Sequence, residues 1–272
     1  MLGRTVRAYA LYILVCAVLL TPVLWMVWSS LRANVDITAF PPRWSSPLTL
    51  QNYEDLFVQF PFGRYTLNSL VVAVGSSLAG LAIGVPAAYC VARHGQRALG
   101  LSLLAARMAP GMLFAVPLFV LSGAIGGRAN VAANLLVLVL SHLLITVPVS
   151  VWIMVPFFRS LPAEIFDATM VDGASELERF RLVALPLVRP GLGVALVLDF
   201  IFSWNYFVFG LTLARGENTM LPVISFSFIG EGSANWGGLM AAGTVIAIPA
   251  LVLAFLAQRL LVRGLTSGAV RG

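Results

Sequence analysis

Residues 161–191, LPAEIFDATMVDGASELERFRLVALPLVRPG, are a long polar interruption in an otherwise very apolar sequence, and they hold five of its eleven acidic residues. Asp172-Gly173 is a turn signal in the middle of the stretch. Ser175 followed by Glu178 has the spacing of a capping box, which starts a helix. The stretch therefore predicts a helix, a glycine turn and a second helix that project as a rigid elbow between two membrane spans. We call residues 161–190 the elbow.

Composition excludes a soluble globular protein and one kind of enzyme. Of the 272 residues, 60% are hydrophobic and 10% are charged. All seventeen basic residues are arginine. A nucleotide-binding P-loop needs a lysine that reaches the phosphates, so this chain cannot carry one. We therefore predict that the chain is not itself an enzyme, that it holds no cofactor, and that any ATP chemistry belongs to a partner.

The cysteines and histidines predict no metal site and no disulfide. Cys16 and Cys90 lie in apolar stretches without paired spacing, as small buried residues do. His94 and His142 are far apart and lack neighbouring ligands. The net charge of +6 comes without a basic cluster interleaved with aromatic residues, so we expect no nucleic-acid partner. Membrane topology explains the excess of arginine better.

Six long segments are nearly free of formal charge, and crossing a lipid bilayer takes about 20 apolar residues. The predicted spans are residues 8–31, 65–92, 108–127, 129–158, 190–214 and 232–258. The first is too long for the apolar part of a signal peptide, and no small-residue cleavage site follows it. The sequence predicts an all-α polytopic membrane protein in which residues 1–272 form a single transmembrane domain.

Arginine distribution predicts the orientation of the chain. Twelve of the seventeen arginines lie on the side that holds both termini and the elbow. Cytoplasmic loops carry the excess of basic residues, so the termini and the elbow are predicted to be cytoplasmic.

Two longer loops, 32–64 and 215–237, fall on the exterior side in this topology. Residues 52–60 have aromatic and aliphatic residues at helical spacing, which suits a helix lying on the membrane surface or one packed within the loop. The second loop is rich in glycine and contains Trp236. It could reach into a docked partner, or it could be a plain connector.

The predicted fifth span carries a polar face. Asp199, Ser203, Tyr206 and Gly210 follow helical spacing, and Asn205 stands beside them. A carboxylate within a membrane is costly and faces a protein interior or a water-filled cavity. This face is a candidate translocation path, and the alternative is a structural hydrogen bond to a neighbouring helix.

Arg107 lies at a similar predicted depth to Asp199. At 1.5 Å per residue, both would be roughly 14 Å from the start of their helices. We hypothesise that the two charges face a common interior, as an ion pair that changes between conformations. The alternative is that Arg107 extends to the interface while Asp199 bonds a serine or water.

Several motifs match one family. Its pattern is matched at Asp167-Ala168-Thr169, Asp172-Gly173-Ala174, Phe180 and Leu185-Pro186. These positions resemble the EAA loop of ABC importer permeases, with Asp in place of the leading Glu and Thr in place of the second Ala. Residues 202–207, FSWNYF, and the tail 263–272 resemble the carbohydrate-importing, maltose-permease-like branch, although Tyr206 replaces its usual Glu.

The resemblance implies a type I ABC importer-like fold in a bacterial inner membrane, importing a sugar or a sugar-derived solute. It implies that the elbow docks on an ATPase subunit through Asp167, Ala168, Asp172, Gly173 and Ala174. The implied partners are a second homologous permease, two ATPase subunits that hold ATP and Mg²⁺, and an extracellular solute-binding protein. We expect Trp236 to contact the binding protein. The alternative is an ion-coupled secondary transporter that uses Asp199, although the internal repeats typical of such folds are not evident.

Overall fold

The computed structural model describes residues 2–41, 43–127, 130–230 and 233–267, and most of them are helical. Four helices are long and apolar enough to cross a membrane core of about 30 Å. These are α1 (Leu2–Ser30), α4 (Phe62–Arg93), α7 (Val131–Arg159) and α14 (Trp236–Ser267). They correspond to the predicted first, second, fourth and sixth spans.

Two bent pairs of helices raise the number of spans to as many as six, if each pair counts as one. The first pair is α5 (Arg97–Met108) and α6 (Met112–Ala124), with a bend of 92°. The second pair is the helix Glu176–Leu187 and α11 (Arg189–Trp204), with a bend of 79°. A multi-pass helical membrane protein is therefore confirmed, whereas the prediction of six simple spans needs correction at two places.

The third predicted span, 108–127, is not one continuous helix. Helix α5 ends at Met108, and Ala109 is extended, with φ −65° and ψ 132°. Proline disfavours helical backbone in the residue before it, and Pro110 follows Ala109 directly. Helix α6 has only 13 residues, which span about 20 Å and are too short to cross the core alone.

The fifth predicted span, 190–214, is also interrupted. Helix α11 ends at Trp204, and α12 (Phe207–Leu213) starts after a break in which Tyr206 is extended. The side-chain amide of Asn205 donates to the carbonyl of Ile201 at 2.8 Å, which caps the end of α11. The four residues predicted to share one helical face therefore lie on two helices and the break between them.

One compact unit consists of the described parts of Met1–Gly63 and Val223–Ile248. Besides α1 and the start of α14, it contains α2 (Asn34–Ile37), α3 (Gln51–Gln59), a 3-10 turn (Ser225–Phe228) and an antiparallel pair of two-residue strands, β1 (Ile229–Gly230) and β2 (Ser233–Ala234). These strands are a small departure from the all-helical prediction. In α3, Leu56 is buried and Asn52 donates to the carbonyls of Ser30 and Arg32 at 2.8 Å each. The loop helix predicted at 52–60 is therefore packed on its own unit along one face.

The other unit consists of Arg64–Pro222 and the described part of Pro249–Gly272. Its shorter elements are α8 (Ala163–Val171), α9 (Glu176–Glu178), a π-helical turn (Arg179–Ala184), α10 (Leu185–Leu187) and a 3-10 turn (Gly216–Asn218). Helix α13 (Leu221–Ile224) begins in this unit, and its last two residues belong to the other. Its core joins α4, α7 and α11 to the elbow through buried apolar residues that include Ala88, Met154, Phe158, Ala184 and Ala195.

Candidate functional site

The elbow has the predicted helix–turn–helix geometry. Helix α8 ends at Val171, and Gly173 takes a positive φ of 76° after Asp172. Ser175 then caps the next helix, since its hydroxyl accepts from the N–H of Glu178 while the Glu178 carboxylate accepts from the N–H of Ser175. The predicted turn and capping box are both confirmed. The hydroxyl and the N–H of Ser175 also hold the pKa of the exposed Glu178 carboxyl below its ordinary value.

The tip of the elbow is open. Asp167, Ala168, Asp172 and Gly173 are exposed, and Ala174 is half-buried. Two large apolar side chains beside the turn are also uncovered, with Met170 58% and Val171 89% exposed. The tip therefore offers carboxylates next to uncovered apolar surface, a combination suited to contact with another protein.

The base of the elbow is anchored to the end of α4 through Glu176. The Tyr89 hydroxyl donates to one carboxylate oxygen of Glu176 at 2.7 Å, and His94 lies 3.3 Å from the same oxygen. The guanidinium of Arg179 lies 2.5 Å from the other oxygen. The Tyr89 hydrogen bond is the main cause that lowers the pKa of the Glu176 carboxyl, with the charge of Arg179 adding to it.

An aromatic cluster surrounds this anchor. The ring of Tyr89 lies 5.4 Å from that of Phe158 and 5.1 Å from that of Phe180. The guanidinium of Arg93 stacks 3.5 Å above the buried ring of Phe166 on α8. Both helices of the elbow are thus packed against one end of α4. The sequence does not predict this anchor, because its members are scattered along the chain without a local signal.

Asp199 and Ser203 link α11 to its neighbours. The hydroxyl of Ser150 on α7 donates to Oδ2 of Asp199 at 2.5 Å, and the hydroxyls of Ser203 and Ser76 on α4 lie 2.8 Å apart. Asp199 and Ser203 have no exposed surface. In this structure both residues make the interhelical hydrogen bonds that were the alternative to a translocation path.

Asn205 and Tyr206 have different surroundings. Asn205 is exposed, and Tyr206 is half-buried with its ring 4.8 Å from Phe209 and 5.8 Å from His142. The structure therefore does not bring the four predicted path residues onto one surface. Their role in translocation stays a prediction.

Arg107 and Asp199 form no ion pair within 4.0 Å in the part of the chain that the structure describes. The guanidinium of Arg107 lies instead 4.9 Å from the centre of the Phe202 ring. Arg107 is exposed, whereas Asp199 is fully buried. The hypothesised pair is thus not formed in this conformation, and Asp199 bonds a serine as the alternative supposed.

Trp236 stands at the start of α14, next to the short hairpin. Its backbone N–H donates to the side-chain oxygen of Asn34 at 2.8 Å, and the Asn34 amide donates to the carbonyl of Ala234 at 3.1 Å. The indole is 41% exposed. This segment is held by hydrogen bonds on its own unit, so it is more than a plain connector. Glu231 and Gly232, Arg128, and the last residues of the tail, 268–272, lie outside the described residues.

Membrane-length helices with an exposed helix–turn–helix define a multi-pass helical membrane protein that carries a polar elbow. A family model described as "Binding-protein-dependent transport system inner membrane component" matches residues 80–267, more than half of the chain. The chain belongs to this family. The match contains the whole elbow and the end of α4 to which it is anchored.

Known relatives extend the comparison over nearly the full chain. The trehalose transport system permease protein SugB of Mycobacterium tuberculosis is 33% identical, over 95% of this chain and 95% of its own length. The diacetylchitobiose uptake system permease protein DasC of Streptomyces coelicolor is 31% identical, over 93% and 92%. The resemblance to the permeases of carbohydrate ABC importers is thereby confirmed.

A solved structure shows the same fold. It is that of a bacterial ABC transporter involved in the import of the acidic polysaccharide alginate. The TM-score is 0.70, with 18% identity, over 95% of this chain and 96% of that chain.

Proposed function

We propose that this chain is the transmembrane permease subunit of an ATP-driven importer for a sugar or a sugar-derived solute. Six spans, with the pair α5–α6 counted as one and with α11 continued by α12 as the fifth, place both termini and the elbow in the cytoplasm of a bacterial cell. The arginine distribution supports this orientation. The family match and the names of the sugar permeases it resembles support the class of solute.

One observation carries the proposal: the elbow is a helix–turn–helix with an exposed tip and an anchored base. Gly173 makes the turn at the tip, and Glu176 joins the base to α4. An ATPase subunit docks on the tip through Asp167, Ala168, Asp172, Gly173 and Ala174. ATP and Mg²⁺ bind to the two ATPase subunits, and their closure moves the elbow together with the spans packed on it.

The remaining partners act on other parts of the chain. A second, homologous permease completes the membrane path, and Trp236 contacts an extracellular solute-binding protein on the outer side. Asn205 and Tyr206, at the break after α11, face the path, while Asp199 and Ser203 hold its wall together through α7 and α4. The whole chain, 1–272, acts as one transmembrane domain.

Affinity purification tests the proposal. The full chain carries a tag at one end and is expressed together with the genes beside its own. An ATPase subunit and a second permease should co-purify in stable amounts, and vesicles that contain the complex should accumulate a saccharide only with ATP and the binding protein. Uptake driven by an ion gradient without any ATPase would overturn the proposal in favour of a secondary transporter.

A further inference from the structure

Two adjoining grooves run along α5, α7 and α11. One has a volume of 380 Å³ and is lined by residues that include Leu104, Arg107, Trp152 and Phe202. The other has a volume of 500 Å³ and shares Leu104 and Trp152 with the first. Trp152 is 49% exposed and Phe202 is 41% exposed, so two large aromatic faces are open in one continuous surface.

Among the described residues, every charged side chain that lines these grooves is positive. They are Arg107 in the first groove and Arg97 and Arg159 in the second. Within the described residues, none of the three forms an ion pair within 4.0 Å. Asp199 lines neither groove, since it is fully buried and accepts a hydrogen bond from Ser150. As far as the described residues line them, the grooves therefore hold positive charge without a carboxylate of their own.

Arg107 lies deep along the spans. It shares its groove with Val149, which precedes Arg159 at the end of α7 by ten residues. At 1.5 Å per residue this is about 15 Å, and Ile153 in the same groove gives about 9 Å, so Arg107 lies well inside a hydrocarbon core of about 30 Å. A charge at that depth that faces lipid is very costly, so such residues face a protein interior or a water-filled cavity. Arg107 is exposed on this chain, and the surface around it must therefore be covered or wet in the membrane.

We propose that the two grooves form one wall of the translocation path and that the solute carries an anionic group, a carboxylate, sulfonate or phosphate on a saccharide. Arg107 binds this group, because a guanidinium presents two parallel donors to such oxygens. Trp152 and Phe202 supply the apolar faces on which the ring of the solute rests. This inference rests on the proposed function and narrows its class of solute.

The first test needs no knowledge of the solute. In the assembled complex, Cys16 and Cys90 are replaced by serine and Leu104→Cys is introduced. The rates of modification by a sulfonate-bearing and a trimethylammonium-bearing methanethiosulfonate are then compared. The ratio of anionic to cationic rate should be at least tenfold higher than for Val58→Cys, which is 84% exposed in α3. Arg107→Gln should lower the ratio about tenfold, as expected for one charge near the thiol, and Arg107→Lys should preserve it.

An unreactive Leu104→Cys would mean that another subunit or lipid covers the groove, and it would overturn the inference. The same conclusion follows if the ratio is insensitive to Arg107. The comparison of the rate ratio at Leu104→Cys with that at Val58→Cys needs no substitution of Arg107. It therefore tests the inference even if Arg107→Gln does not assemble.

The second test uses digalacturonate and its dimethyl ester, which differ in charge, as protecting ligands. The acid should slow modification of Leu104→Cys at a tenfold lower concentration than the ester, and Arg107→Gln should abolish this difference. Equal protection by both compounds contradicts the inference. Protection that follows the phosphatidylglycerol content of the vesicles instead would assign the groove to an anionic lipid and would also contradict it. ATP-dependent uptake with no role for Arg107 would refute this inference and leave the proposed function standing.

Discussion

Gly84 and Gly80 set the distance between α4 and α7. A Cβ added at Gly84 would lie 2.5 Å from Cβ of Ser150, and one added at Gly80 would lie 2.6 Å from Cβ of Thr146. Small residues let helices approach closely in a membrane, where the hydrophobic effect does not drive association. Ser150, which a Cβ at Gly84 would displace, also donates to Asp199 on α11, so overpacking at Gly84 would disturb this buried hydrogen bond.

We predict that Gly84→Ala destabilises the protein. Overpacking at a backbone contact costs about 1–3 kcal/mol, which lowers the unfolding midpoint by roughly 5 °C. The midpoint is measured for the solubilised complex by intrinsic tryptophan fluorescence. Gly63→Ala, in the same helix but with nothing within 4 Å of the added Cβ, is the matched control and should leave the midpoint unchanged or slightly higher. Equal midpoints for Gly84→Ala and the wild type would contradict the packing argument.

Asp199 shows how much of a side chain's surroundings can be predicted from its residue type alone. The cost of a carboxylate in a membrane correctly indicates that its surroundings are polar or enclosed. Whether it faces a cavity or a neighbouring helix depends on Ser150, which lies 49 positions away in the sequence. No local pattern contains that information.

At the scale of elements, the elbow was predictable because its signals are local. The turn needs a residue that tolerates positive φ, and the capping box needs Ser175 and Glu178 three positions apart. The anchor of the elbow was not predictable in the same way. Tyr89 and Glu176 are 87 positions apart, and their contact exists only in the packed structure.

We predict that Tyr89→Phe weakens coupling while the complex still assembles. Without the hydroxyl, Glu176 loses one hydrogen-bond donor, and movement of the elbow is transmitted less completely to α4. The number of ATP molecules hydrolysed per solute imported should rise at least twofold in proteoliposomes. Tyr9→Phe is the control, since Tyr9 is 65% exposed on α1. An unchanged ratio in Tyr89→Phe would show that the anchor plays no part in coupling.

The interruptions after α5 and α11 were missed because apolar composition continues through them. Pro110 lies between two apolar helices, and Asn205 lies between aromatic residues. Neither residue is charged, so a search for long segments without charge does not detect the two breaks. A proline within a membrane helix is compatible with either a kink or a full break. The surrounding packing decides between them.

The hydrogen bonds that Asn34 makes beside Trp236 lead to another prediction at this scale. Trp236→Ala should reduce the stimulation of ATP hydrolysis by the binding protein at least threefold without lowering the basal rate. Trp25→Ala is the matched control, because Trp25 has a similar exposure, 46%, but lies within α1, a candidate span. Stimulation is titrated with purified binding protein. The idea fails if the two variants respond alike.

At the scale of the whole molecule, the distribution of arginine and the order of apolar segments predicted a multi-pass helical protein whose elbow lies on the same side as both termini. The family match supports the prediction of a multi-pass transport protein. The number of spans is four or as many as six, depending on whether each bent pair is counted as one span. The class of solute is harder to predict from the sequence, because the grooves are formed by residues of three separate helices. Arg107, Trp152 and Phe202 come together only through the packing of α5, α7 and α11.

The turn at Gly173 tests the central claim, that movement of an ATPase reaches the membrane through the elbow. A Cβ at this position would meet nothing within 4 Å, so the effect of a substitution comes from its φ of 76° alone. Asparagine tolerates this conformation, whereas a β-branched residue is strained there by at least about 1–2 kcal/mol. The decisive measurement is ATP-driven uptake in proteoliposomes that contain the full complex, with Gly173→Val compared with Gly173→Asn. We predict that Gly173→Val assembles but loses most of its uptake while Gly173→Asn retains at least half. Equal uptake by the two variants would contradict the account.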